Sequence, residues 1–152
     1  MNLSENFESS LRRRLEQLHT DGKDTIGDML DLRLVEVDPL QGTVLLRCAT
    51  ASWMRNLAGT LHGGLCATVV DQAMGCVAYC AKPGEGIAPT ISLQVSYHRP
   101  LIPGEDVLIR IRVLSVTGSL IHLSCEAAVA SQPEKLCLSC AATYFYKPKA
   151  TQ

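Results

Sequence analysis

The chain has 152 residues, 47% of them hydrophobic and 19% charged, with a formal net charge of −1. That length fits one domain with a sizeable core, and the charge balance excludes the basic excess or stripe that marks a nucleic-acid binder. Seven cysteines, an odd number scattered through apolar segments, argue for reduced thiols used as small hydrophobes in a cytoplasmic protein rather than for a disulfide framework.

At the N-terminus no apolar core precedes a small-residue cleavage site, so no secretory signal is expected. Glu5 and Glu8 do not suit an acid-poor mitochondrial transit peptide. Ser4 is the expected N-cap of a first helix, with both glutamates in its first turn, where the helix dipole favours acids. Leu3, Phe7, Leu11, Leu15 and Leu18 recur at helical spacing, so one face should pack against the body; Gly22 is the stop. Residues 1–25 therefore read as an N-terminal helix added to a core over 30–147, all within one domain. Arg12, Arg13 and Arg14 form the one basic cluster, and with Glu5, Glu8 and Glu16 around it it reads as a solvated helix face. Leu32 to Val37 and Thr43 to Cys48 are β-rich, and the turn-rich Asp38-Pro39-Leu40-Gln41-Gly42 between them predicts a hairpin.

After an irregular segment around Trp53 and Met54 comes the stretch on which the chain is centred. Asn56-Leu57-Ala58-Gly59-Thr60-Leu61-His62-Gly63-Gly64 is a polar turn feeding an almost wholly apolar run, Leu65 to Cys80. A helix that is apolar all round is a buried helix. The 61–81 stretch is long enough to span a bilayer, but His62, Asp71, Gln72 and three glycines favour a soluble core helix and no membrane partner. Asp71 breaks the pattern, because an ionised carboxylate is rarely buried without a partner; it either faces a cleft or is paired from another element. No metal site is expected. Cys137 and Cys140, three apart in a strand-like run, would face opposite ways, and Cys76 and Cys80 share a helix face without a His or second Cys pair to complete a site.

Lys82-Pro83-Gly84-Glu85-Gly86 is a loop that cannot continue the helix. Ile91, Leu93, Val95 and Tyr97 then alternate with polar residues; Pro100, Pro103 and Gly104 break the run. Val107 to Val113 and Ile121 to Val129 alternate around a Thr117-Gly118 turn, and a last strand spans about Leu136 to Tyr146. The short connections predict antiparallel neighbours, and Lys147 to Gln152 are expected to fray. The fold class is α+β: a curved antiparallel sheet of five to six strands around one central helix.

The motif Asn56-x-x-Gly59-Thr60-Leu61-His62-Gly63-Gly64, then Val70-Asp71 and the long strands, resembles the hotdog-fold acyl-CoA thioesterases. Within these it is most similar to the phenylacetate-pathway and thioesterase superfamily member 2 branch. The resemblance covers roughly residues 30 to 147. It implies a hotdog fold, hydrolysis of an acyl- or aryl-CoA to the free acid and CoA, no cofactor beyond the coenzyme A of the substrate, and a dimer or tetramer. Helix geometry supports the dimer independently. At ~1.5 Å per residue Asp71 lies about 12 Å along the helix from Gly63, too far for one reacting atom to touch both. If both take part, a two-fold axis must set Asp71 of one subunit against Gly63 of another, giving two composite sites.

Roles follow from the chemistry of a thioester carbonyl that becomes an oxyanion. The Gly63 N–H at a helix N-terminus can stabilise it, and Asn56 can donate its side-chain amide to the carbonyl or hold the leaving group. Asp71 serves as general base for water or as nucleophile. The resemblance places a water-orienting hydroxyl at Thr90, with Ser92 as the choice if the register slips by two. His62 and Gly64 shape the turn against the substrate, and Arg99 and Lys82 are candidates for the coenzyme A phosphates. Structural readings stand beside these: Asp71 capping a buried loop, Asn56 as a plain turn residue, His62 fixing the turn rather than acting as base. His98 and His122 lie on strand faces and read as non-catalytic, and Cys66 and Cys76 lack a matched His. Two rival functions keep the same fold, an acyl-CoA sensor without catalysis and an enoyl-thioester hydratase or dehydratase.

Overall fold

In the computed structural model, which describes residues 3–82, 84 and 86–149, the alternating runs form a six-stranded antiparallel sheet and the apolar run forms the helix it curves around. Pro83 and Glu85 of the expected loop, and 150–152 of the expected frayed tail, lie outside the described residues. The elements in chain order are α1 (Phe7–Thr20), α2 (Ile26–Met29), β1 (Leu32–Asp38), β2 (Thr43–Cys48), a 3-10 turn (Ser52–Met54), α3 (Gly63–Cys80), β3 (Gly86–Ile87), β4 (Thr90–Tyr97), β5 (Val107–Thr117), β6 (Leu120–Val129), β7 (Leu138–Phe145) and β8 (Lys147–Pro148). Among the described residues, no helix is long and apolar enough to cross a membrane.

The hairpin prediction holds: β1 pairs with β2, and Asp38 Oδ1 accepts the Leu40 and Gln41 amides to fold the turn between them. Gly42 closes that turn at φ 65°, a conformation open to glycine at little cost. The inward residues of β5 and β6 are those the alternation picks out. Val107, Ile109, Ile111 and Val113 are buried beside Ile121, Leu123, Cys125, Ala127 and Val129. α1 begins at Phe7 with Asn6 as its cap rather than Ser4, whose carbonyl instead accepts the Phe7 amide. Its face of Phe7, Leu11, Leu15 and Leu18 is buried as the spacing predicts, at roughly 1.5–3 kcal/mol per side chain.

Three expectations are corrected. Short turns do not make every successive pair neighbours, because the sheet order is β1-β2-β5-β6-β7-β4. β4 crosses to the far side and pairs with β7, which the two prolines and a glycine of the 98–106 connection permit. The tail does not fray from Lys147, since β8 pairs with β3. And α3 is not closed on every side. Gly64, Thr68, Asp71, Gln72, Gly75 and Tyr79 stay exposed or half-buried, and at 3.6 residues per turn they form one stripe of small and polar residues along an otherwise buried helix.

Candidate functional site

Asp71 sits on that stripe with its carboxylate held from β4 and β7. Thr90 and Tyr144 are cross-strand partners, and both donate to the same oxygen: Thr90 Oγ1 to Asp71 Oδ1 at 2.8 Å and the Tyr144 hydroxyl at 2.9 Å. The Tyr144 hydroxyl also lies 3.1 Å from the Asp71 main-chain carbonyl. Among the described residues nothing donates to Oδ2. A β-bulge between Thr90 and Ser92 breaks the two-residue period that would otherwise put both hydroxyls on one face. Thr90 thereby reaches Asp71, while Ser92 pairs with Thr143 on an exposed part of the strand. Burial, with the Asp71 carboxylate adding to it, pushes the Tyr144 phenol far up, so that hydroxyl remains a proton donor. The hollow over Asp71 has a volume of about 540 Å³ and includes Thr90, Tyr144, Gln72 and Gly75, with Arg14 and Gln17 of α1 on its opposite wall.

The N-terminus of α3 builds a second, separate place. His62 is the N-cap, and its Nδ1 accepts the Gly64 amide at 3.0 Å, which leaves the ring proton on Nε2. The Cys66 amide goes to the His62 carbonyl, and the Gly63 N–H has no acceptor among the described residues. Tyr97 donates its hydroxyl to the Gly63 carbonyl at 2.7 Å; burial raises its phenol. Asn56 organises the preceding loop: its Oδ1 accepts the Ala58 and Thr60 amides, and its Nδ2 donates to Thr60 Oγ1. Gly59, at φ 85°, completes that loop. Asn56, Gly63, Tyr97 and Arg99 line one hollow of about 350 Å³.

Of the predicted site residues, the fold therefore joins Asp71 with Thr90, and Gly63 with Asn56 and Arg99. It does not join the two groups, because the hollows share no lining residue. Arg99 is tied by its guanidinium to the Leu136 carbonyl. Lys82 stands at the other end of α3, bonded to the Gly118 carbonyl and over the Tyr146 ring. His98 and His122 pair with Ser139 and Thr143 across strands, and all seven cysteines are free and buried. Sequence reasoning missed Tyr144 and Tyr97. For Tyr144 the available signal was that a tyrosine buried in a strand needs a partner for its hydroxyl; Tyr97, more than half exposed, carries no such signal.

Comparison with known proteins agrees with this fold. The family model of the thioesterase superfamily matches residues 58–135, just over half of the chain. Human acyl-coenzyme A thioesterase 13 is 31% identical over 96 residues, 62% of this chain and 66% of that one. Rat acyl-coenzyme A thioesterase THEM4 is 28% identical over 94 residues, 62% of this chain and 38% of that one. The match thus spans less than two thirds of the length of these curated relatives. Among solved structures, mouse thioesterase superfamily member 2 superposes with a TM-score of 0.71 at 21% identity, covering 95% of this chain and 98% of that chain. The E. coli PaaI protein from the phenylacetic acid degradation operon gives 0.72 at 16% identity, covering 91% and 96%.

Proposed function

We propose that this chain, which belongs to the thioesterase superfamily, hydrolyses an acyl-CoA thioester to the free acid and CoA. The observation that carries the reading is the state of Asp71, which lines the hollow: one oxygen is pinned by Thr90 and Tyr144, and no described residue donates to the other. A carboxylate so held can take a proton from a water, whose oxygen then adds to the thioester carbonyl carbon. The resulting oxyanion lies against the open N–H of Gly63 from a second copy, at the positive end of α3. The second N–H of the Asn56 amide, beyond the one given to Thr60, points the carbonyl. Collapse breaks the C–S bond, and the departing thiolate of CoA takes back the proton from Asp71. His62, Gly64 and Ser92 shape the approach, and Arg99, on the Gly63 hollow, is the cation assigned to the coenzyme A phosphates; Lys82 of the same chain lies beyond Tyr79, on the other side of Asp71. One water is consumed, and no cofactor is needed beyond the coenzyme A of the substrate.

Two observations support a composite site in a dimer. Asp71 and Gly63 line different hollows of one chain. And β4 is an edge strand of eight residues without a charge, with Ile91 and Tyr97 more than half exposed. Such an edge is a template for a second strand. The opposite edge, β1, carries Arg33, Glu36 and Asp38 and a bulge, the features that block edge pairing. Two β4 edges joined about a two-fold axis run their α3 helices antiparallel. Assembly into a tetramer, and a cytoplasmic location, complete the reading.

The test is thiol release from aryl- and aliphatic acyl-CoAs by the wild type and by Asp71→Asn. We expect a folded, dimeric variant slowed by ~100-fold or more, the loss of a general base. Equal, weak rates in both proteins would instead identify a non-catalytic acyl-CoA sensor.

A further inference from the structure

The hollow over Asp71 has a far wall that the hydrolytic chemistry does not use. α1 lies across α3, and Arg14 of α1 stacks its guanidinium on the Tyr79 ring, 4.5 Å from the centroid. The Arg14 Nε is buried with no hydrogen-bond partner, and among the described residues no carboxylate lies within ion-pair distance of Arg14. This differs from the neighbouring Arg12, which is paired with Glu8 at 2.7 Å. The Arg12-Arg13-Arg14 run is thus not uniformly a solvated face: its third member turns inward, fixed by an aromatic ring and beside the Cys76 thiol, with its Nε donor unspent.

Asp71, Gly75 and Tyr79 recur every four residues on the open stripe of α3 and line the same hollow as Arg14. Gly75 leaves the floor between them free of a side chain. Tyr79 is about 12 Å along the helix axis from Asp71, its ring leans toward the N-terminus of α3, and the Arg14 guanidinium stacked on that ring lines the same hollow as the carboxylate. The pantetheine arm of CoA is longer than that interval, whereas a short acyl chain fits it. Gln17, Gln72 and Asp21 share the wall, and a plain alkyl chain would desolvate all of these groups without replacing their hydrogen bonds.

Resting on the thioesterase reading, we propose that Arg14 sets acyl specificity by binding a carboxylate at the far end of the acyl group, so that the preferred substrates are mono-CoA thioesters of short dicarboxylic acids. A guanidinium held flat presents two parallel N–H groups to a carboxylate, the strongest neutralising geometry a side chain offers. Asp21 and Asp71, on the same hollow, disfavour an anion beside them, which leaves Arg14 and Lys149 as the cations that line it, and of the two only Arg14 is a guanidinium fixed on a ring.

The experiment measures binding and turnover separately. Calorimetry with the non-hydrolysable thioethers carboxypentyl-CoA and hexyl-CoA should show the carboxylate ligand binding the wild type about ten-fold or more tightly. Arg14→Met should abolish that difference while leaving hexyl-CoA affinity within about two-fold, and Arg14→Lys should restore part of it. In hydrolysis, the same variants should raise KM for adipoyl-CoA and leave kcat and the hexanoyl-CoA parameters alone. Equal losses for both thioethers in Arg14→Met would place Arg14 on the coenzyme A phosphates or in the packing of α1 and overturn the proposal, as would a wild type that prefers hexyl-CoA. Tight binding with no hydrolysis of any thioester would sink the thioesterase reading but leave this inference standing.

Discussion

Replacing Tyr144 by Phe isolates the one hydroxyl that is both buried and on Asp71. Tyr144 is 1% exposed, and phenylalanine fills the same space, so no cavity opens. What is lost is a hydrogen bond to a charged acceptor, ordinarily worth roughly 1.5–3 kcal/mol. Asp71 Oδ1 keeps its bond from Thr90 and is half-open to water, which reduces the loss to about 1–2 kcal/mol. For a chain of this size that corresponds to a drop of about 2–8 °C in Tm. The carboxylate, held from one side only, turns more freely, and kcat should fall about ten-fold, equivalent to ~1.4 kcal/mol, with KM nearly unchanged. Thr90→Val is the companion: its hydroxyl is exposed in this chain, so stability should move by less than about 0.5 kcal/mol while kcat falls comparably. Because both hydroxyls pin one oxygen, the double variant should lose less than the product of the single losses. Thermal melts and steady-state kinetics on all four proteins decide it. A Tyr144→Phe protein that is destabilised but turns over at the wild-type rate would refute the idea that the two hydroxyls aim the base.

Gly63→Ala tests the oxyanion site with the fold as its own control. A Cβ on Gly63 would first meet the Tyr97 ring and hydroxyl, at 3.7 Å, an ordinary contact, and alanine is the better helix former by up to ~1 kcal/mol. Stability should therefore hold or rise while hydrolysis falls at least about ten-fold as the methyl crowds the N–H; unchanged kinetics would remove Gly63 from the mechanism. Alkaline stability tests the buried thiols. Desolvation pushes Cys48 and Cys80 up from 9.0 to about 12, so between those limits the unfolded chain has lost protons that the folded chain keeps. Stability must then fall as pH rises through that window, by about 2 kcal/mol per thiol at pH 10.5. Urea midpoints at pH 8 and 10.5 should show a smaller decline for Cys48→Ala than for the wild type, and equal declines would contradict the assignment.

The periodicities carried most of the fold because burial enforces them. A strand with one face on the core must alternate, as β5 and β6 do, and α1 must repeat Phe7, Leu11, Leu15 and Leu18. Asp71 stood out in the sequence for the same reason, as the one carboxylate in an apolar helix. Tyr144 did not, because an aromatic in an alternating run looks like core, and its side chain is indeed buried; only its hydroxyl is functional. Arg14 was hidden among like charges, since no pattern within Arg12-Arg13-Arg14 tells which guanidinium turns inward. That depends on Tyr79, sixty-five positions away.

The position of β4 is the link between fold and chemistry that the sequence concealed. Alternation is blind to which strand lies beside which, and a run from Ile91 to Tyr97 followed by one from Val107 looks like a hairpin. Had β4 paired with β5, Thr90 would not stand opposite Tyr144, and no two hydroxyls would converge on Asp71. By crossing to β7, the strand does two things at once: it brings Thr90 to the carboxylate and leaves its own outer edge without a neighbour. The oxyanion donor proposed for Asp71 lies on another copy, so that free edge is as necessary to the mechanism as the base. A single charge on its exposed face, Gln94→Lys, would act on the reaction by way of assembly.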